Sequence, residues 1–429
     1  MNTGAAGPLS AANRWPLATP LDDCEVCGWA ASGAMALTGP PDRAPDPSPA
    51  PAFTRLNAVL RALAEATADL GRPVVLSPGA VLTDRAAGQG FRRQGSVSAG
   101  GSTRLLRTAD GWCALTLSRP DDFGSVPAIV GGGDGSDPWD ALAAFALHIT
   151  SESLAERAQL FGVPAAALAP VERSAATAPP WRLNRLAEPV FHRGLRGRLV
   201  VDLSSMWAGP LCAHVLGRAG AEVIKVESPH RPDGARADAA FFDRLHAGHE
   251  FRSVDFRTDS GRAELARLLD RADIVIEASR PRALAQLGLG PDRRPLPTGQ
   301  IWVSLTGYGR DEPMRVAFGD DAAVAGGLVG WDGAQPVFCA DAVGDPLSGI
   351  CAALAVCECL ELGGGVLADI SMRAVTAAFA AAAPICPGPH TVRGDRAGWS
   401  VHCTRTRRTQ PVAVPGADQR SARSGGVRC

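Results

Sequence analysis

The chain has 429 residues and a formal net charge of −1, too long for one ordinary core and suggesting two domains. The near-zero charge gives no global pull towards nucleic acid or an anionic membrane, so an anionic ligand has to be met by a local site. Residues 350–362 and 374–385 are apolar but fall short of the roughly 18 residues that span a bilayer. The N-terminus carries neither a basic leader nor an apolar core, so export is not indicated and a cytoplasmic location is expected. Eleven cysteines, with Cys212, Cys351 and Cys357 inside apolar helical stretches, suit reduced thiols that pack as small hydrophobes and not a disulfide framework.

In chain order, residues 1–20 are small, proline-containing and aperiodic, which reads as a flexible leader. The proline-rich stretch 39–51 cannot sustain a helix and reads as a linker. Beyond it Leu56, Val59, Leu60, Leu63 and Leu70 recur at helical spacing, which predicts an amphipathic helix over 53–70. Residues 103–118 hold two apolar runs around Ala109-Asp110-Gly111, the pattern of a β-hairpin. Helices at 138–148 and 153–161 complete a small α+β domain over 21–180, whose expected role is to cover a site.

A second break at 175–180 precedes a different rhythm, in which strand, turn and helix repeat. This predicts a doubly wound, Rossmann-like α/β domain over 187–386. Its strands are expected at 198–203, 221–227, 274–277 and 301–305. Helices are expected from Pro210 to Arg218, over 260–271 and over 348–362, with Gly220 ending the first in a left-handed conformation. From 387 to 429 no apolar period could bury a face, and a disordered tail is expected.

The turn 204–210 (SSMWAGP) joins a strand end to a helix N-terminus, where free N–H groups and the helix dipole favour an anion. There is no G-x-G-x-x-G, so a dinucleotide is not favoured, and Trp207 also suits a simple cap on the core. Cys24-x-x-Cys27 has no second cysteine pair at suitable spacing, and His246 with His249 lacks a third ligand nearby. No metal is therefore expected at either place, and the two histidines read as polar surface.

Four ordered segments are similar to the family III coenzyme A transferases of the CaiB/BaiF type: 195–234, 254–281, 287–310 and 319–349. The last ends in VGDPLSG (343–349), which resembles the family's nucleophile loop and places Asp345 at its attacking carboxylate. An ionised carboxylate needs no base, and its attack on a thioester gives an anhydride about as activated as the bond it replaces. On residues alone Asp345, beside Pro346 at the head of an apolar helix, reads first as a helix cap, and it is the resemblance that turns this reading to the nucleophile. The resemblance also implies that Trp207 and Ala208 lie near the coenzyme A moiety, Arg257 near its phosphates, and Ala278, Ser279 and Arg280 along its adenine or pantetheine path.

The activity implied is transfer of coenzyme A between an acyl-CoA thioester and a carboxylic acid. No tightly bound cofactor is implied, coenzyme A entering as its thioester substrate, and the assembly implied is an interlocked homodimer. Two departures bear on this. Where the family carries N-x-G-K-R, this chain has His246-Ala247-Gly248-His249-Glu250, replacing two cations with a mostly neutral histidine and an anion. The small domain precedes the large one, as in a permutation, and 28–45 is faintly similar to 325–336. The racemase branch of the family uses a histidine a few residues after Phe318-Gly319-Asp320-Asp321, and none occupies that position. A 2-methylacyl-CoA racemase, with an aspartate of raised pKa as second base, remains the alternative, as does a catalytically silent acyl-CoA-binding member.

Overall fold

The unit β5 (Leu199–Asp202), α7 (Ala208–Ala219) and β6 (Glu222–Glu227) sets the architecture. Its two apolar strands pair in parallel and its helix ends where Gly220 takes φ 123°, as the sequence predicts. The computed structural model describes residues 14–16, 24–132, 135–191 and 194–417.

Among the described residues four strands and three α-helices precede this unit in the chain, and three N-terminal α-helices precede those. These helices are α1 (Glu25–Ala31), α2 (Ala50–Leu70) and α3 (Pro78–Gln89). The hairpin β1 (Thr103–Arg107) and β2 (Trp112–Thr116) follows, then α4 (Pro120–Val130), α5 (Pro138–Ala146), α6 (Ser151–Leu160) and β3 (Ala165–Ala167). β4 (Trp181–Arg185) begins the large sheet. After β6 come α8 (Ala239–Leu245), β7 (Glu250–Ser253), α9 (Asp259–Arg271), β8 (Ile274–Glu277), α10 (Pro281–Gln286) and β9 (Ile301–Thr306). Next are α11 (Gly319–Ala325) and a short hairpin, β10 (Gly330–Asp332) with β11 (Gln335–Val337). The large sheet closes with α12 (Gly344–Glu361), β12 (Val366–Ser371) and α13 (Met372–Ala380).

The seven strands run in the order β4-β12-β9-β8-β5-β6-β7. All neighbours are parallel except the β4 edge. Strand order reverses between β5 and β8, and in such sheets the crevice outside the carboxyl ends of these strands is where ligands bind. Both faces are covered, as a parallel sheet requires. One apolar cluster holds Val201, Val226, Leu265, Leu269 and Trp302 under α9, and the other packs α2, α7, α12 and α13 on the opposite face.

α12 is apolar all round and buried on every side, so it can only be a central helix. It packs on α7, and Gly349 makes this close: a Cβ there would lie 2.5 Å from Ala208 O and 3.0 Å from Leu211 Cβ. Each helix has its N-terminus at the carboxyl edge of the sheet, since α7 follows β5 and α12 precedes β12.

Two expectations are corrected, and a third falls largely outside the described residues. Residues 24–89, grouped in sequence with the hairpin, bury Trp29, Met35, Leu56 and Leu63 in the same cluster as α7 and α12. Only about 103–167 has a separate core, built on Leu115, Ile129, Leu142 and Leu154. The flexible leader lies outside the described residues apart from 14–16. There Trp15 is buried, with ring centroids 5.6 Å from Trp181 and 6.2 Å from Phe379. The tail expected to be disordered forms, within 390–411, an antiparallel sheet of β13 (His390–Asp395), β14 (Gly398–Cys403) and β15 (Arg408–Pro411). Its residues are mostly exposed, so no alternating apolar pattern announced it; Val401 and Cys403 alone reach zero exposure in these strands. Residues 418–429 lie outside the described ones. Among the described residues no helix is long and apolar enough to cross a membrane.

Because α7 and α12 touch through bare backbone at Gly349, a methyl group there must push them apart. Gly349→Ala is expected to destabilise the protein by about 1–3 kcal/mol, read as a lowered midpoint of urea unfolding; an unchanged midpoint would disprove the close contact.

Candidate active site

The strand-to-helix turn after β5 is held from beneath by a buried ion cluster. Lys225, on β6, is fully buried, with Nζ 3.1 Å from Asp233 and 3.7 Å from Asp202, and it also donates to Ser204 O. Asp202 accepts the Ser204 N–H at 2.9 Å, and Asp233 accepts the Met206 N–H at 2.9 Å. A charge with no water around it demands such partners; here Asp202 and Ser204 lead into the turn that delivers Trp207, and Asp233, from the loop after β6, is hydrogen-bonded to it. Trp207 and Ala208 are both buried. The Trp207 ring meets Phe241 edge-on at 5.1 Å, and the Arg85 guanidinium lies 5.0 Å over its centroid.

Arg85 comes from α3 and reaches across to the loop before α12, donating to Asp341 at 2.8 and 2.5 Å. Beside it stand two more carboxylates, Asp320 at the start of α11 and Asp345 in the first turn of α12. Two glycines bring these loops together. A Cβ on Gly319 would collide with Ala342 O and lie 2.5 Å from Asp345 Oδ2, and one on Gly344 would lie 2.6 Å from Gly319 O. The approach lets the Gly319 N–H donate to Asp345 Oδ2 at 3.1 Å. Asp345 therefore does not cap its own helix: the N-cap is Val343, and the carboxylate turns across to the neighbouring loop.

Three carboxyls share one guanidinium, and the electrostatics follow. Burial pushes Asp345 up to about 7 against the pull of Arg85, and Asp320 and Asp341 push it further. Burial, then Asp341, raises Asp320 to about 6. Arg85 is half-enclosed; burial works against its charge, but the pair with Asp341 keeps it firmly protonated. Asp321, next in sequence, is buried and pushed up to about 8. The hairpin closes over these acids: Thr116 donates to Asp321 at 3.2 Å, and Thr103, 3.0 Å from Thr116, donates to Asp320 at 3.4 Å. Of the four described non-glycine residues with positive φ, Met206 precedes Trp207, and Ala340 and Ala342 bracket Asp341. Strained backbone of this kind collects at functional sites.

The remaining sequence-predicted residues divide. Ala278, exposed, and Ser279 and Arg280, half-buried, follow β8 directly and so border the same crevice as the turn after β5. Burial lowers the pKa of Arg280, and neighbouring Arg282, Arg119 and Arg231 lower it further. Arg119 and Arg280 both approach Gly162, the first donating to its carbonyl at 3.0 Å. Arg257 lies further along the edge, beyond β7, exposed and engaged with Asp255 and His230. His246 is buried, not surface as expected; its Nδ1 is 3.2 Å from that of His249, and burial holds both near 4, hence neutral. Glu250 is exposed and paired with Arg252.

Sequence reasoning missed Arg85 and Lys225. Both carried a signal: Lys225 interrupts an apolar parallel strand, and Arg85 falls one turn after Val81 on the buried face of its helix.

The sequence model of CoA-transferase family III matches residues 195–402. The probable fatty acyl-CoA transferase Rv3272 of Mycobacterium tuberculosis is 38% identical over 141 residues, 30% of this chain and 36% of that protein. The succinyl-CoA–D-citramalate CoA-transferase of Chloroflexus aurantiacus is 31% identical over 191 residues, 40% of this chain and 48% of that protein. A solved CAIB/BAIF family protein from Brucella suis is 25% identical, with a TM-score of 0.43, covering 48% of this chain and 65% of that one. The chain thus spans about a third to a half of the length of the two curated relatives. The loop 343–349, the turn after β5 and the segment after β8 all lie inside the span, residues 195–402, that the sequence model of CoA-transferase family III matches.

Proposed function

We propose that this protein transfers coenzyme A from an acyl-CoA thioester to a carboxylic acid, with Asp345 as the nucleophile. The observation that carries the reading is a half-buried carboxylate at the carboxyl edge of the sheet, in a cluster of three acids with one cation. Asp345 attacks the thioester carbonyl, the C–S bond breaks, and the thiolate leaves behind a mixed anhydride. The thiolate then attacks the aspartyl carbonyl and frees the donor acid. The acceptor carboxylate repeats the exchange from the aspartyl thioester, and the returning thiolate regenerates Asp345. Arg85 balances the charge of the loop, and the hairpin over Asp320 and Asp321 supports the exclusion of water that an anhydride needs.

For the coenzyme, Trp207 and Ala208 border the acyl end, with Ala278, Ser279 and Arg280 along its length. The positive charges of Arg119, Arg231 and Arg282 all bear on Arg280, which supports a phosphate seat there. Arg257, already held by Asp255, is the weaker phosphate contact of the set. The position of the hairpin unit before the sheet supports a permuted member of the family. An interlocked homodimer follows from the same resemblance.

A second reading is favoured by one observation: Asp320 and Asp345 stand side by side with carboxyls raised to about 6 and about 7. One protonated and one ionised acid could exchange the α-proton of a 2-methylacyl-CoA. Solvent deuterium entering the α-carbon, without exchange of coenzyme A between acids, would select this racemase over the transferase.

In the transferase reading, Asp345→Asn should lower exchange by about three orders of magnitude or more, while wild-type protein given acyl-CoA and hydroxylamine acquires a hydroxamate at Asp345 by mass spectrometry. Retained exchange in the variant rejects Asp345; no exchange in the wild type across a panel of acyl-CoA donors, with binding intact in both, leaves a silent binder. The nucleophile must be ionised, so the rate should fall as pH drops through about 7, whereas an unperturbed aspartate would keep it flat down to pH about 4. Arg280→Gln should raise KM for coenzyme A thioesters about ten-fold or more with little change in kcat; an unchanged KM removes Arg280 from the phosphate seat.

A further inference from the structure

The cysteine near the start of the described chain meets three ligands from its far end. Cys24 Sγ lies 2.9 Å from His390 Nε2, and Cys386 Sγ lies 3.7 Å from Cys403 Sγ. All four ligand atoms fall within 4.8 Å of one another, with the three cysteines buried and His390 half-buried. We propose that Cys24, Cys386, His390 and Cys403 form a Cys3His site for a structural zinc ion, which clamps α1 to the C-terminal sheet.

The geometry and the surroundings both fit. With Zn–S near 2.3 Å and Zn–N near 2.0–2.1 Å, the edges of the coordination tetrahedron are roughly 3.5–3.8 Å, the separation found between Cys386 and Cys403. The same two sulfurs are far beyond the roughly 2.05 Å of a disulfide. Soft thiolates with one imidazole select zinc among common divalent ions, and four protein ligands close the shell and leave no place for a substrate.

The sulfurs also carry the outer hydrogen bonds that metal-bound thiolates keep. The N–H groups of Cys27 and Thr406 donate to Cys24 and Cys403 at 3.5 Å, and Arg405 Nε donates to Cys386 at 3.2 Å. On binding, zinc displaces three thiol protons, and the three thiolates exceed its charge by one; the Arg405 guanidinium offsets that excess. Glu25 fixes the approach, its buried carboxylate accepting the N–H groups of Ile385 at 3.0 Å and Cys386 at 2.9 Å.

The sheet itself gives the reason for a clamp. β13, β14 and β15 fully bury only Val401 and Cys403, too little apolar surface to hold three short strands, and a metal supplies what such a core lacks.

The test uses the full chain, purified without chelator and analysed by elemental mass spectrometry. About one zinc per chain is expected, retained in Cys27→Ser, whose thiol is outside the quartet, and lost in Cys403→Ser and His390→Ala. Should those variants fail to fold, wild-type protein loaded with cobalt decides, since thiolate-to-cobalt charge-transfer and tetrahedral d–d bands are expected. Chelation should also open 387–417 to limited proteolysis. Wild-type protein without zinc and without those bands, or with Cys386 and Cys403 joined as a disulfide in non-reducing peptide mapping, overturns the site. None of these readouts depends on the transferase activity.

Discussion

A helix with no polar face has to be wrapped, and the burial of α12 is the constraint on which the site depends. Because α12 feeds β12 from behind, its N-terminus points to the edge of the sheet where β5 and β8 part company. Gly349 lets α7 lie flush against it, and Gly319 and Gly344 let the α11 loop meet its first turn. The position of Asp345 is thus set by packing along the whole length of the helix, not by the loop in which it sits.

Placement alone would make Asp345 an ordinary ionised acid. Its neighbours make it unusual, since Asp320 and Asp341 stand with it around Arg85, and the hairpin hydrogen-bonds to Asp320 and to Asp321 beside it. Low-dielectric surroundings penalise each unbalanced charge, so Asp320 and Asp345 are raised to about 6 and about 7. Carboxyls tuned by burial and by specific charged neighbours are candidates for a functional site. The left-handed backbone at Ala340 and Ala342 shows that the fold tolerates local cost to keep Asp341 where Arg85 can reach it.

Much of this was legible in the sequence because it was local. The β5-α7-β6 unit declares itself through an apolar run, a helix-starting turn and Gly220, and Asp345 through its motif. Arg85 was not legible as a site residue, because its partners lie about 250 residues downstream, and only the packing of α3 against the α7–α12 layer brings them together. The C-terminal sheet escaped notice for lack of an apolar period. Cys24 was set aside for want of a second cysteine pair, yet Cys386, His390 and Cys403 approach it only once both ends of the chain have folded onto α1. Periodicity reports which face is buried; it is silent about what a charge or a thiol will find there.

Lys225 and its two aspartates carry a consequence for how this turn can drift. Removing the lysine alone strands two anions in an apolar interior, and removing either aspartate alone upsets the balance around the cation, whereas an apolar trio of similar volume can be nearly neutral. Each single step therefore crosses a barrier that the combined change does not. The three positions are expected to vary as a block, with the path of the chain into Trp207 inherited or lost as one unit.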